Sequence, residues 1–305
     1  MSDPITQKDI QKEIEELNAA ILEGRMKLPL DKKIEISKSR IKQWYEHYEG
    51  KVYVAFSGGK DSTVLLHIVR SIYPDVPAVF CNTGLEFPEI VAFTKKIPNV
   101  ITIRPTLSFK QIIDKYGYPV GSKKIAAQIH KLRHPTKNNF HTRQLYLTGI
   151  NSEGVYRWMW RLSKKWYKLI DAPFETSNKC CDFLKHQPSY KYEMETGNKP
   201  FVGTLATDSL LRKAIYLKEG CNNFGSTHPR SVPLSFWRTN DIWEYIKSRK
   251  VDYCEIYDMG YTATGCIYCM FGVHLEKAPN RFQLLNKTHP KLHNYCINNL
   301  GLGKV

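Results

Sequence analysis

The segment Ser57–Ser62 constrains the fold of this chain most, because it joins an apolar run at 52–56 to a stretch of helical character. A strand, a glycine turn and a helix N-terminus form an anion site, since the first N–H groups of a helix lack partners within it. Glycines also let the backbone approach a phosphate closely. The segment predicts a phosphate-binding loop with a lysine cation and two serine donors. Its residues are Ser57, Gly58, Gly59, Lys60, Asp61 and Ser62.

The spacing of this loop differs from that of the common phosphate-binding loop, where four residues separate the first glycine from a Gly-Lys-Ser/Thr ending. Here Asp61 follows Lys60 directly. The alternative is a glycine turn that only connects a strand to a helix. Six suitable residues in this context favour a binding loop.

The order of the predicted elements places the loop in an α/β fold. Two helices, at 10–22 and 34–48, precede it. Strands and helices then alternate, and this order predicts a doubly wound, mainly parallel sheet whose ligands lie beyond the carboxyl ends of the strands. The alternating elements are strands at 52–56, 78–81 and 100–103, and helices ending at Tyr73 and spanning Pro88 to Lys96.

The turn after the second strand lies where adenosine contacts are expected, because it follows a strand that neighbours the loop strand. Further on, the sequence predicts a strand at 201–204, a helix capped by Thr239 or Asn240, and a final helix near 292–300. The residues of the expected adenosine turn are Asn82, Thr83, Gly84 and Glu86.

The domain organisation predicted from these patterns has three parts. A helical lead-in at 1–48 precedes a nucleotide-binding domain at 49–250 with a basic helical insertion near 120–170, and a Cys-rich region at 251–305 packs on the same domain.

The composition is 42% hydrophobic, without the run of about 20 apolar residues that a membrane span needs. Residues 1–28 contain no apolar signal core. We therefore expect a soluble, cytoplasmic protein with no membrane partner.

The chain is strongly basic, with 45 Lys and Arg against 29 Asp and Glu, and a formal charge of +16. This excess suggests a polyanionic partner, and cations beside aromatic rings suit RNA or DNA in single-stranded or looped form. The alternative is a solvated basic helix whose aromatic side chains pack inward. The basic residues concentrate in 123–143 and in 157–168, where four aromatic residues are interleaved: Tyr156, Trp158, Trp160 and Trp166.

The eight cysteines include two tight pairs. Pairs of this kind in a reducing compartment indicate metal binding or redox chemistry more often than a disulfide. Four thiolates can hold zinc or an iron–sulfur cluster, and the adjacency of one pair favours the cluster, since zinc sites use spaced pairs. The alternative is four buried thiols, which is also our first expectation for Cys81, Cys221 and Cys254. The pairs are Cys180 with Cys181, and Cys266 with Cys269.

Together these motifs, with the segment 209–212, resemble the phosphoadenosine and adenosine phosphosulfate reductase family of the adenine-nucleotide alpha-hydrolase superfamily. The resemblance spans residues 34–275. It implies that the loop holds the phosphates of ATP or of an adenylyl sulfate, and that Arg212 contacts phosphate or sulfate. By resemblance to the family's cluster-containing branch, the two cysteine pairs hold a four-iron four-sulfur cluster near the nucleotide.

Sulfonucleotide reductases of this family use a nucleophilic cysteine in a Glu-Cys-Gly-like tail. In this chain Cys296 lies in Asn-Tyr-Cys-Ile-Asn instead. Other members of the superfamily adenylate a tRNA base or act in DNA phosphorothioation, and then deliver sulfur. That resemblance implies ATP at the loop, with Asp61 orienting Mg²⁺ or capping the helix. The predicted catalytic residues are Lys60, Asp61, Arg212 and Cys296.

Three hypotheses follow. The first is an enzyme that cleaves ATP next to its α-phosphate and passes sulfur from an undetermined donor to a nucleic acid. The second is a sulfonucleotide reductase that produces sulfite and AMP or its 3′-phosphate, with Cys296 or an external thiol as nucleophile. The third is a protein that binds nucleotide and nucleic acid without turnover.

Overall fold

The computed structural model describes the backbone of residues 7–305, and side chains from Glu13 onward except at position 15. One compact unit, the loop unit, consists of the described residues of Met1–Asn82 together with Phe87–Ile103 and Ser189–Thr264. Thr83–Glu86, Arg104–Pro188 and Gly265–Val305 form the second, the cysteine unit. The expected boundaries at 48 and 250 stay a prediction, and of its lead-in, residues 1–6 lie outside the described chain.

The helices and strands have the following bounds. The strands are β1 Val52–Ala55, β2 Ala78–Cys81, β3 Val100–Ile103, β4 Lys199–Val202, β5 Asn222–Asn223 and β6 Arg230–Ser231. The α-helices within the described residues are α1 Gln7–Lys27, α2 Leu30–His47, α3 Lys60–Arg70, α4 Pro88–Lys96, α5 Phe109–Tyr116, α6 Lys123–Arg133, α7 Phe140–Thr148, α8 Gln187–Thr196, α9 Leu210–Glu219, α10 Thr239–Arg249, α11 Arg281–Thr288 and α12 Pro290–Asn294.

The loop unit contains a six-stranded sheet in the order β3-β2-β1-β4-β6-β5. All neighbouring pairs are parallel except β5 with β6. Val52, Tyr53 and Val54 of the central strand β1 are all buried, as expected for a strand covered on both faces. The predicted doubly wound α/β fold is confirmed, and β1 and β2 end at the same edge of the sheet.

Several element boundaries differ from the predictions for local reasons. The strand predicted to reach Thr204 ends at Val202. The cap predicted at Thr239 or Asn240 is wrong, because helix α10 already includes both residues. Its N-cap is Arg238, whose N–H donates to the Asp241 carboxylate at 2.6 Å. The predicted final helix is broken into α12 and a π-helical turn at Tyr295–Asn299.

The basic insertion in the cysteine unit is only partly helical. After α6 and α7 the chain continues in 3-10 turns at Trp158–Trp160 and Lys164–Leu169 instead of a continuous helix. A hydrophobic core nevertheless holds this region together. Its buried members are Val120, Ile129, Leu132, Tyr146, Leu162 and Leu169.

Helix length and hydropathy determine whether a segment can cross a membrane. In the portion of the chain from residue 7 onward, no helix combines the length and the apolar character that crossing a membrane requires.

Candidate functional site

The phosphate loop lies between β1 and α3, and both of its glycines are required by their surroundings. Gly58 has φ +72°, in the left-handed region that favours glycine. A Cβ added at Gly59 would lie 2.5 Å from Oγ1 of Thr264. Gly59 is the N-cap of α3 and offers no side-chain cap, so the helix N-terminus presents backbone N–H groups. The local sequence therefore builds the turn that an anion site needs.

Hydrogen bonds within the loop fix its conformation. The Ser57 N–H donates to Oγ of Ser62 at 3.2 Å, and that hydroxyl lies 2.9 Å from the Gly59 carbonyl, to which it can donate. Thr63 Oγ1 also donates to the Gly59 carbonyl, at 3.0 Å. The loop is thus organised by its own residues.

Lys60 and Asp61 form an ion pair in this loop. Lys60 Nζ lies 3.0 Å from Asp61 Oδ2, and the lysine side chain is buried. The second carboxylate oxygen, Oδ1, is buried without a hydrogen-bond partner. Burial raises the pKa of Asp61, and the adjacent Lys60 opposes that shift. An unpartnered carboxylate oxygen beside a phosphate loop fits a Mg²⁺ ligand, because this ion prefers oxygen.

Tyr257 contacts the start of α3, which sequence reasoning missed. The Lys60 N–H donates to the Tyr257 hydroxyl oxygen at 2.8 Å. Burial raises the pKa of Tyr257 to about 12, so the phenol stays protonated. Its hydroxyl also lies 3.4 Å from Oγ1 of Thr264. No local signal marks Tyr257, since it is far from the loop in sequence.

Arg212 is the third residue of α9, and its guanidinium pairs with the Asp208 carboxylate. Ser209 caps this helix by accepting from the Arg212 N–H at 3.2 Å. The charges of Asp208 and Arg212 both influence the pKa of Asp61, Asp208 raising it and Arg212 lowering it. The structure thus places Arg212 in the electrostatic surroundings of the loop, and Asp208 is a partner that sequence reasoning missed.

Gly203 follows β4 and is a third residue near the loop whose role sequence reasoning missed. A Cβ there would lie 3.0 Å from the Ser62 backbone N and Cα. Glycine at the end of a strand is a signal for a close backbone approach, and the sequence contains it.

The expected adenosine turn is divided between the units. Asn82 belongs to the loop unit, where its N–H donates to the Ile103 carbonyl at 2.9 Å. Thr83, Gly84 and Glu86 belong to the cysteine unit. The Glu86 carboxylate closes their turn, because it accepts from the Thr83 N–H at 2.9 Å and from the Thr83 hydroxyl at 2.8 Å.

The two cysteine pairs meet in the cysteine unit. All four thiols line one cavity of about 20 Å³, together with Leu85, Phe109 and Lys185. The Ile267 N–H donates to the Leu85 carbonyl at 2.8 Å and so ties the Cys-x-x-Cys segment to the turn at 83–86. The structure therefore brings together Cys180, Cys181, Cys266 and Cys269, as predicted from their pairing.

Cations surround these thiols. A hydrogen bond from Cys180 lowers the pKa of Cys181, and the charges of Lys123 and Lys185 lower it further against the effect of burial. Cys266 raises the pKa of Lys185, so the ammonium stays charged beside the thiols. Four thiols with neighbouring cations form a donor set that fits a thiolate-bound metal group.

The remaining cysteines differ in their surroundings. Cys221 and Cys254 are buried in the loop unit, and burial raises the pKa of both thiols. Cys296 is fully buried in the cysteine unit, where burial raises its pKa to about 11. A protonated, buried thiol is a poor nucleophile, because the thiolate is the reactive form.

An exposed aromatic surface, defined by Tyr156, Trp158 and Trp160, lies on the cysteine unit. Trp158 is 70% exposed, Tyr156 is 56% exposed and Trp160 is 48% exposed. Lys124 Nζ lies 5.1 Å from the centre of the Trp160 ring. By contrast, Trp166 packs on the core of this unit. The inward packing considered in the sequence analysis therefore applies to Trp166 and not to this surface.

The chain is similar in sequence to known proteins. The model of the phosphoadenosine phosphosulfate reductase domain matches residues 51–150 and 159–271. An uncharacterized protein of Methanocaldococcus jannaschii is 25% identical over 86% of this chain and 51% of its own length. The adenosine 5′-phosphosulfate reductase of Anoxybacillus flavithermus is 23% identical over 89% of this chain and 96% of its own length.

A solved structure is also similar. The phosphoadenylyl-sulfate reductase of Candida auris has a TM-score of 0.44 and 16% identity, covering 87% of this chain and 98% of its own. The chain spans about half the length of the archaeal relatives it matches.

Proposed function

This chain belongs to the phosphoadenosine phosphosulfate reductase family, and on that premise we propose that it transfers AMP from ATP to an oxygen of a nucleic acid, releasing pyrophosphate, and that sulfide-level sulfur from a donor then displaces AMP together with that oxygen. The observation that carries the proposal is the loop at Ser57–Ser62, where a helix N-terminus, a buried lysine and an unpartnered Asp61 oxygen converge. This arrangement suits a triphosphate with its cation.

Backbone and side-chain groups of the loop have distinct roles in the proposed reaction. N–H groups at the start of α3 other than that of Lys60, which donates to Tyr257, would bind phosphate oxygens, and the Lys60 ammonium would neutralise their charge. Asp61 Oδ1 would hold Mg²⁺, which when bound stabilises the negative charge of the leaving pyrophosphate. Arg212 would exchange its pairing with Asp208 for a phosphate oxygen, since guanidinium groups bind both carboxylates and phosphates.

The four cysteines of the cavity would hold the iron–sulfur cluster. The adjacency of Cys180 and Cys181 supports a cluster over zinc, because zinc sites use spaced pairs of cysteines. When bound, a cluster supplies redox-active iron and sulfide, and the neighbouring Lys123 and Lys185 offset the negative charge of its thiolates.

The exposed aromatic surface supports the nucleic-acid part of the proposal. Bases stack on exposed aromatic rings regardless of sequence, and neighbouring cations bind the phosphate backbone. Trp158 and Trp160 supply the rings, and Lys124 lies over one of them. Exposing this much apolar area costs free energy in water, which is typical of an interaction site.

Pyrophosphate release tests the proposed function. Anaerobically purified protein with its metal content measured is incubated with ATP, Mg²⁺ and either RNA or DNA. We expect pyrophosphate release that depends on the nucleic acid and is lost in Asp61→Asn. The control Asp75→Asn, at an exposed aspartate in the turn between α3 and β2, should retain it. Intact ATP with every nucleic acid supplied, alongside tight binding, would replace this proposal with binding without turnover.

Sulfonucleotide reduction is the second candidate, favoured by the similarity to an adenosine 5′-phosphosulfate reductase over 96% of that relative. Its products would be sulfite and AMP. The buried, protonated Cys296 disfavours an internal nucleophile in this conformation. Sulfite release from adenylyl sulfate that disappears in Cys296→Ser would establish this candidate instead.

A further inference from the structure

A cluster of metal-ligating side chains lies in the cysteine unit apart from the four cysteines. His130 and His134 are four residues apart at the end of α6, and Glu175 lies opposite them. One ligand atom from each residue lies within 4.8 Å of those of the other two. His134 is the C-cap of α6, and its ring lies beside that of His130, with ring centroids 4.4 Å apart.

The hydrogen bonds of His134 determine which of its ring nitrogens is available. Nδ1 lies 2.8 Å from the His130 carbonyl oxygen, which can only accept, so Nδ1 carries the hydrogen. The neutral ring therefore has its lone pair on Nε2. Metal-binding histidines commonly donate their other N–H to a carbonyl in this way, which orients the ring.

Nε2 of His134 faces the Glu175 carboxylate at 3.9 Å from Oε2. That oxygen is buried and has no hydrogen-bond partner. Two acceptors that face each other at this distance can share a cation, either a proton on the ring or a metal ion. The third ligand atom, on His130, favours the metal ion, because a proton can serve only one pair of acceptors.

The carboxylate is held in position by surrounding structure. Arg133 Nη2 lies 3.1 Å from Glu175 Oε1, which leaves Oε2 directed at the histidines. Arg133 is itself anchored, since Nη1 donates to the carbonyls of Ala172 at 3.0 Å and Phe174 at 2.7 Å. The Tyr118 N–H donates to the Glu175 carbonyl at 2.8 Å and fixes the backbone.

We propose that His130, His134 and Glu175 form a binding site for a first-row divalent cation, with Zn²⁺ as the best match. Two imidazoles and one carboxylate are a donor set that zinc accepts, with a fourth position left for water. The ligand atoms must move closer by rotation of side chains, since zinc holds nitrogen at about 2.0–2.1 Å. Nearby Arg133 and Lys179 repel the ion, so the affinity is lower than in sites of four cysteines.

Equilibrium dialysis against Zn²⁺, with the protein in its purified, cluster-containing form, tests this site. Any zinc on the cysteines is common to all variants, so the difference between variants reports the new site. We expect wild type to bind one more zinc per chain than His134→Ala. Glu175→Gln keeps an oxygen for Arg133 but loses the charge, and should bind zinc at least about tenfold more weakly.

His141→Ala is the matched control, because His141 is an exposed histidine on α7 of the same unit. Far-ultraviolet circular dichroism checks that each variant folds. Equal zinc binding by wild type, His134→Ala and Glu175→Gln would overturn the proposal. An equal loss in His141→Ala would also overturn it.

Discussion

The loop at Ser57–Ser62 is contiguous in sequence and is held by hydrogen bonds among its own residues, whereas the cysteine cavity gathers its thiols from two distant segments. The loop backbone is therefore organised largely by its own residues, although Tyr257 and Thr264 pack against it from distant segments. The cavity depends on the tertiary packing of the cysteine unit and, in our proposal, on a metal group that joins the segments. Because metal binding is coupled to folding, we expect the cavity to be the more sensitive of the two sites to loss of one residue.

The largest effect is expected at the cavity. Cys266→Ser removes one of four ligands, and we expect loss of about four irons and four sulfides per chain, because a cluster of this type needs all its thiolates. Iron, zinc and acid-labile sulfide analysis after anaerobic purification measures this.

Cys254→Ser is the control for that experiment, since Cys254 is buried in the loop unit and does not line the cavity. Zinc in the wild-type protein, or no metal in it, would contradict the cluster and leave the loop as the remaining basis for the function.

Gly59→Ala tests how much the conformation of the Ser57–Ser62 loop depends on a residue from a distant segment. The new Cβ would lie 2.5 Å from Oγ1 of Thr264. Overpacking of this kind lowers the free energy of unfolding by up to about 3 kcal/mol, which urea denaturation measures. Gly225→Ala is the control, because nothing lies within 4 Å of its added Cβ.

The double variant Gly59→Ala with Thr264→Ala sharpens this test. Removing the Thr264 hydroxyl relieves the close contact, so the double variant should recover part of the lost stability. If it recovers none, the cost arises within the loop backbone, and contact with Thr264 is not its cause.

The sequence predicted the elements that local patterns determine. β2, α4 and β3 have the predicted bounds, since strand and helix periodicities are clear there. The pairing of Cys180 and Cys181 with Cys266 and Cys269 in one cavity also followed from their spacing and the family resemblance.

Other parts of the site depend on tertiary contacts that no local pattern reveals. Tyr257 reaches the Lys60 N–H from a segment far along the chain, and its neighbours in sequence give no sign of it. The helical insertion predicted near 120–170 is helical at α6 and α7 but continues in 3-10 turns, where the rings do not share one buried face: Trp166 packs inward and Trp158 is exposed. Asn82 and Thr83 are adjacent in sequence but belong to different units, and this boundary depends on packing that the sequence pattern does not reveal.

Lys60→Ala measures what a single charge contributes to the contiguous loop. Loss of one charge-assisted contact should weaken ATP binding by about 1–3 kcal/mol, with the fold intact. Titration calorimetry with ATP and Mg²⁺ gives the affinity. Lys51→Ala, an exposed lysine just before β1, should bind ATP like the wild type. Unchanged affinity in Lys60→Ala would refute the assignment of the loop.

The smallest effect is expected at the exposed aromatic surface, where contacts are many and individually weak. Trp158→Ala removes one stacking ring and should weaken single-stranded RNA or DNA binding by about 1 kcal/mol, the lower end for stacking, because the ring is 70% exposed. Fluorescence anisotropy at several salt concentrations measures this affinity.

The salt dependence of binding should stay unchanged in Trp158→Ala, since no cation is lost, whereas Lys124→Ala should reduce the salt slope. Met194→Ala removes an apolar side chain of the loop unit that is 88% exposed, and it should alter neither quantity. If Trp158→Ala also leaves the affinity unchanged, the nucleic acid does not stack on this ring, and the charge of the chain must act elsewhere.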